Sequence, residues 1–137
     1  MQVAIVGTSH AMTENEERDV QQFIAMILKD FDPKTTTIIS GGAKGVDTMA
    51  QEGALLQGFA VKPIFPMGFG KEANLARNRQ IAEECDQLFC ISIPMHDKAC
   101  YHHKPVRDDH QKTAGCYTMN KALEMNKTCR LLITPQR

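Results

Sequence analysis

Apolar and polar positions alternate along this chain in blocks that switch between two periods. Val3, Ala4, Ile5 and Val6 form a continuous apolar run that stops at Gly7. Such a run suits a strand buried on both faces. Thr13 followed by Glu16 has the spacing of a capping box, and Glu14, Glu16 and Glu17 suit the positive end of a helix. Val20, Phe23, Ile24, Ile27, Leu28 and Phe31 then recur at helical spacing, and Asp32-Pro33 ends that helix. A second strand is predicted up to Ser40, and a helix from about Met49 to Gly58, where glycine suits a left-handed cap. Residues 60–66 read as a third strand, at an edge because Pro63 cannot donate to a ladder. A loop over 67–73 leads to a helix over 74–85. Residues 88–93 read as a fourth buried strand, 95–114 as a long polar insert, 116–125 as a helix and 130–134 as a last strand.

Alternating strands and helices with short connections predict a parallel sheet covered on both faces. The expected fold is therefore α/β: a Rossmann-like, doubly wound, mostly parallel sheet of about five strands in a three-layer sandwich. At 137 residues and 42% hydrophobic, the chain is expected to be one domain, 1–137, carrying the insert at 95–114. Ligands of such folds sit beyond the carboxyl ends of the strands. The segments after the first four strands should converge there, the ligand being expected on the first three.

Composition narrows the chemistry. Sixteen basic and sixteen acidic residues give zero formal net charge, which makes nucleic acid the less favoured partner. The absence of Trp and the few aromatics argue against a stacking platform for single strands. No apolar stretch reaches the ~18 residues of a membrane span, and no signal peptide is evident, so a cytoplasmic protein without a membrane partner is expected. Five cysteines without a secretion signal point to thiols or metal rather than disulfides.

The densest chemistry lies in Ser40-Gly41-Gly42-Ala43-Lys44-Gly45-Val46-Asp47. A glycine-rich turn that leaves a strand and opens a helix is suited to an anion, because its backbone approaches closely and unpaired N–H groups face the ligand. The spacing matches neither the Walker A loop nor the dinucleotide G-x-G-x-x-G, so no NAD or flavin redox cofactor is expected. Gly41, Gly42, Lys44 and Gly45 are the expected phosphate cradle. Gly7, Thr8 and Ser9 would close its other side. Arg77 and Asn78, read together with Arg79 as opening a helix, would clamp the distal part. Asp47 is either a helix-start acid or a contact to ribose or a reacting group.

The run from Ser40 to Ala50 resembles the signature of the SLOG superfamily. That group joins the DNA-processing protein A (Smf) domain, the LOG "lysine decarboxylase-like" proteins and the YspA-type proteins. Ala4-Ile5-Val6-Gly7-Thr8-Ser9 is similar to their first strand and turn. Asn74-Leu75-Ala76-Arg77-Asn78-Arg79-Gln80-Ile81-Ala82 with Cys85-Asp86 resembles a segment of the YspA-type members. The resemblance covers residues 1–94 best. It implies a Rossmann-like fold that binds a nucleotide or nucleotide-derived ligand in sensing or processing, and a candidate homodimer. It also raises two alternatives, a nucleotide N-glycosidase or phosphohydrolase and a DNA- or RNA-associated accessory protein. For the enzyme, Asp47 and Glu52 are the candidate acids. The LOG pattern P-G-G-x-G-T-x-x-E is not reproduced: Ser40 replaces the Pro, one extra residue separates the glycines, and no Glu matches.

Cys100, His102, His103, His110 and Cys116 form a second constellation. Thiolate and imidazole donors at these spacings make a candidate zinc site that would staple the insert. The alternative is a solvated polar excursion, with Cys116 opening a helix where a thiol can be activated.

Overall fold

The computed structural model describes residues 1–94, 99–100, 107–111 and 113–135, with the side chains of 99–100 and 107–111 left aside. Strands β1 (Gln2–Gly7), β2 (Thr37–Ser40), β3 (Ala60–Pro63), β4 (Gln87–Ser92) and β7 (Thr128–Ile133) form one sheet, in the order β3-β2-β1-β4-β7. Every pairing in it is parallel. Helices α1 (Glu14–Lys29) and α2 (Val46–Leu56) cover one face, and α3 (Lys71–Glu84) and α4 (Ala114–Glu124) the other. The expected Rossmann-like sandwich is what forms. The polar insert adds a pairing not anticipated from sequence, an antiparallel ribbon of β5 (Ala99–Cys100) and β6 (Arg107–Gln111).

Alternation along the strands builds two cores. Val3, Ile5, Ile38 and Ile91 face α1 and α2, where Val20, Ile24, Ile27, Leu28, Val46, Ala50 and Ala54 meet them. Ala4, Val6, Ile39, Leu88 and Cys90 face α3 and α4, against Ile81, Ala82, Cys85, Cys116, Met119 and Ala122. Burying a large aliphatic side chain is worth about 1.5–3 kcal/mol. With both faces of β1 fully covered, that strand is the centre of the molecule. Thr13 caps α1 in the expected capping box: its hydroxyl accepts the Glu16 N–H while the Glu16 carboxylate accepts the Thr13 N–H. Gly58 takes the left-handed conformation after α2, and β3 is an edge strand with Pro63 last.

Three helices begin earlier than the pattern predicts, α2 among them, at Val46 rather than about Met49. Gly70, with φ 94°, ends the preceding loop, and Lys71-Glu72-Ala73 are good helix formers, so α3 starts at Lys71. Arg77, Asn78 and Arg79 therefore sit in its second and third turns and do not open it. Thr113 caps α4 by accepting the Cys116 N–H, so that helix starts at Ala114.

The strand order reverses at β1: β2 and β3 lie to one side, β4 and β7 to the other. The crevice at such a reversal is where α/β sheets hold ligands. Its width is set by glycines, because a Cβ on Gly115 at the start of α4 would lie 2.7 Å from both N and Cα of Gly7 at the end of β1. An exposed helical Gly→Ala change gains about 1 kcal/mol. Here the sign should invert: Gly115→Ala is expected to lose about 1–3 kcal/mol, because backbone must move. Urea unfolding measures it, and an unchanged or raised midpoint would show that α4 does not rest on β1 as described.

Candidate functional site

Four segments meet above the carboxyl ends of β1 and β2 around a cavity of about 400 Å³. β1 and its following turn supply Gly7 and Ser9. The glycine loop supplies Gly41, Gly42 and Ala43, with Asp47 behind them. Phe65 and Pro66, together with Asn74, Arg77 and Asn78 of α3, come from the one segment that follows β3. Ala114, Gly115 and Thr118 come from the first turns of α4. The starts of α2 and α4 thus border one cavity, an arrangement favourable to negative charge.

Local structure explains why the loop is shaped so. Ser40 is fully buried at the end of β2. Its hydroxyl donates to the Asp47 carbonyl at 3.1 Å and accepts from Gly42 N–H at 3.3 Å and from the Gln51 amide at 3.1 Å. The loop is thereby folded back over α2. Val46 N–H donates to the Thr8 carbonyl at 3.0 Å, which ties α2 to the turn after β1. No side chain fits at Gly42, where φ is 73° and a Cβ would lie 2.5 Å from the Phe65 ring. A Cβ on Gly41 would lie 2.7 Å from Asp47 Oδ2 and 3.0 Å from an Arg77 nitrogen.

Arg77 bridges α3 to this loop. Its terminal nitrogen donates to the Gly41 carbonyl, and its Nε donates to Asn78 Oδ1 at 2.8 Å. A guanidinium carries five N–H donors, so donors remain for an anion. Asn78 is buried and held with it. Asp47, 7% exposed, turns its carboxylate back over the loop, where Oδ2 accepts the Ala43 N–H at 3.4 Å. Burial pushes its carboxyl up to about 7, against the lowering pull of the Ala43 amide, the Arg77 guanidinium and the Gly41 backbone. A carboxyl in that range can gain or lose a proton near neutrality.

The expected cradle is corrected in several places. Lys44 is exposed and, with Gly45, borders a separate hollow with Ser9, His10, Met12 and Glu17 on the far side of the loop. Gly45, with φ 86°, is required for the turn against Thr8 and Ser9 rather than for the cavity wall. Thr8 is fully buried, its hydroxyl accepting the Ile93 N–H at 3.3 Å. Ser40 supports the loop from below. Glu52 lies on α2 in the groove against α1, away from the cavity. Gly7, Ser9, Gly41, Gly42, Asp47, Arg77 and Asn78 are brought together as expected.

Pro66, Asn74 and Ala114 lie in segments expected to converge here but were not singled out, and Phe65, Gly115 and Thr118 were missed altogether. The Thr113 cap signal and the one-turn spacing of Asn74 to Arg77 and Asn78 would have found most of them. The aromatic ring in the cavity lining is Phe65, 62% exposed. Of the candidate zinc ligands, His102 and His103, and the side chains of Cys100 and His110, lie outside the described residues. Cys116 is fully buried, with its sulfur 3.7 Å from the Ser92 hydroxyl and accepting from Thr113 at 3.3 Å. Among the described residues no three His, Cys, Asp or Glu side chains cluster, and no helix is long and apolar enough to cross a membrane.

The family model described as DNA recombination-mediator protein A matches residues 1–108, which hold three of the four segments around the cavity. The chain belongs to the DNA recombination-mediator protein A family. No curated protein sequence matches it. Among solved structures, it is similar to DNA processing protein A from Helicobacter pylori, reported for its single-stranded DNA binding mode (21% identity, TM-score 0.66, 100% of this chain and 66% of that one). It is also similar to DNA processing protein A from Streptococcus pneumoniae (20%, 0.67, 99% and 50%). A third likeness is to TM1055, a structural-genomics target (17%, 0.62, 93% and 71%). The chain thus spans 66% and 50% of the two DNA processing proteins. At these identities the likenesses establish the Rossmann-like fold.

The Asp47 environment has a testable consequence. Between its ordinary value of 3.8 and about 7, the unfolded chain releases a proton that the folded chain keeps. Stability therefore falls as pH rises through that window, by up to ~1.4 kcal/mol per pH unit from this group, and levels off above it. Asp47→Asn is expected to remove that component of the slope in urea unfolding across the window. Parallel curves for the two proteins would contradict the buried assignment.

Proposed function

We propose that this protein binds single-stranded DNA, seating one nucleotide unit of the strand in the cavity above β1 and β2. One observation carries the reading: a guanidinium, a glycine loop and the starts of two helices border a cavity whose rim holds an exposed phenylalanine. The phosphate would lie on the Gly41–Gly42–Ala43 backbone and the free donors of Arg77. Ser9, Asn74 and Asn78 would read the sugar or the base edge. Phe65, one side of its ring against Gly42, would stack a base. Family membership supports DNA over other polyanions, and the Helicobacter relative's reported strand binding supports a single strand over a duplex. Such a protein would act in the cytoplasm.

The zero net charge favours a second reading, in which the ligand is a free nucleotide. Without a basic excess, phosphates beyond the cavity add little affinity. Fluorescence anisotropy with a labelled thymidine oligomer of about 15 nucleotides, competed by thymidine monophosphate and by duplex, separates the two. Strand binding requires the oligomer to win clearly over the mononucleotide and over the duplex, with affinity falling as salt rises. Equal affinity for oligomer and mononucleotide would favour the free nucleotide, and no binding at low salt would exclude both. Phe65→Leu is expected to weaken oligomer binding by ~1–3 kcal/mol without changing the salt slope. Arg77→Lys keeps the charge but loses the forked geometry, and should weaken binding more than a change at exposed Lys44.

A further inference from the structure

The loop expected to hold an anion already has a carboxyl on it. Asp47 Oδ2 accepts the Ala43 amide at 3.4 Å, and a Cβ on Gly41 would be 2.7 Å from the same oxygen. This carboxyl lies in the cavity wall while being 7% exposed, and it belongs to the first turn of α2. First-turn acids usually sit in solvent and serve the helix alone. Here the side chain points back into the space where a ligand phosphate would meet the loop. Two negative charges sharing that spot in a low-dielectric wall repel strongly.

We propose that Asp47 is a displaceable occupant of the anion site, so that a phosphodiester binds there only as the carboxyl takes up one proton from solvent. The protonated carboxyl then releases the Ala43 N–H to the ligand, and its own O–H donates to a phosphate oxygen. The charge count is conserved: one negative charge is neutralised in the wall as one arrives with the strand. This rests on the strand-binding reading above.

The charged groups around Asp47, among the described residues, are few. On α3, Arg77 faces it and pulls its proton off. On α2, Glu52 turns into the groove against α1. On the loop, Lys44 borders the opposite hollow, together with His10 and Glu17 from the β1–α1 side. The remaining walls present Ser9, Phe65, Pro66, Asn74, Asn78 and Thr118, none of which titrates near neutrality. Burial has already brought the carboxyl to about 7, so the proton it needs is within reach at physiological pH.

The test uses a thymidine oligomer, because an internal phosphodiester, unlike a terminal monoester with a pKa near ~6, does not itself titrate in this range. Affinity of the unmodified protein should fall about tenfold from pH 6 to pH 8. Calorimetry in buffers of different ionisation enthalpy should show uptake approaching one proton per site at pH 8 and little at pH 6. Asp47→Asn should bind at pH 8 at least as tightly as the unmodified protein at pH 6, with a flat profile. Binding by the unmodified protein that is flat with pH and takes up no proton would overturn the proposal and leave strand binding standing. A pH dependence that survives in Asp47→Asn would also overturn it, assigning the proton elsewhere. If neither protein binds the oligomer at low salt, the strand-binding reading falls and takes this inference with it. The calorimetric result does not depend on the variant folding.

Discussion

Backbone meets backbone where Gly7 ends β1 and Gly115 begins α4, and the geometry of the cavity follows from that contact. β1 is the strand at which the strand order reverses, so the space above its end is open by topology. A side chain at Gly115 would drive α4 outward, and one at Gly7 would strike the Ile91 carbonyl of β4. With none, the start of α4 comes down beside the glycine loop, and the starts of α2 and α4 face one space. A second set of contacts closes the other side. Arg77 on α3 holds the Gly41 carbonyl, and Phe65 packs on Gly42.

Asp47 joins the fold to the chemistry. A charged carboxylate in that wall would be costly, and the loop amides and Arg77 offset only part of the cost. The result is a carboxyl balanced between two protonation states at the bottom of a cavity shaped for negative charge. Shifted titratable groups in clefts of this kind cluster at functional sites. Ser40, Thr8 and Gly45 belong to a supporting layer that fixes where those groups stand.

Much of this architecture is readable from residues alone. The apolar run 3–6, the capping box at Thr13 and the glycine punctuation at 41–45 and 58 are local signals, and each forms the element it predicts. The failures share a cause. Lys44 sits in the expected cradle by sequence, but the turn at Gly45 sends it to the far side of the loop, and one-dimensional spacing carries no such direction. Thr8 looked like a ligand contact and is buried, because parallel pairing of β1 with β4 draws it under Ile93. Gly115 and Thr118 were invisible because their role depends on a long-range contact with β1. Net charge is silent on direction too: it averages the whole surface, whereas one guanidinium, two helix starts and an exposed ring border a single cavity. The family match through residue 108 places the chain in a family, and the choice between strand and free nucleotide is left to the binding experiment.

Amide chemical-shift mapping with a thymidine oligomer tests the placement of the ligand most directly. Amides at Gly41, Gly42, Ala43, Arg77, Asn78 and Gly115 are expected to move together and to saturate at one common affinity. Perturbations confined to the α1–α2 groove or to the open edges of the sheet, with those six amides still, would contradict a strand-binding site at the carboxyl end of β1.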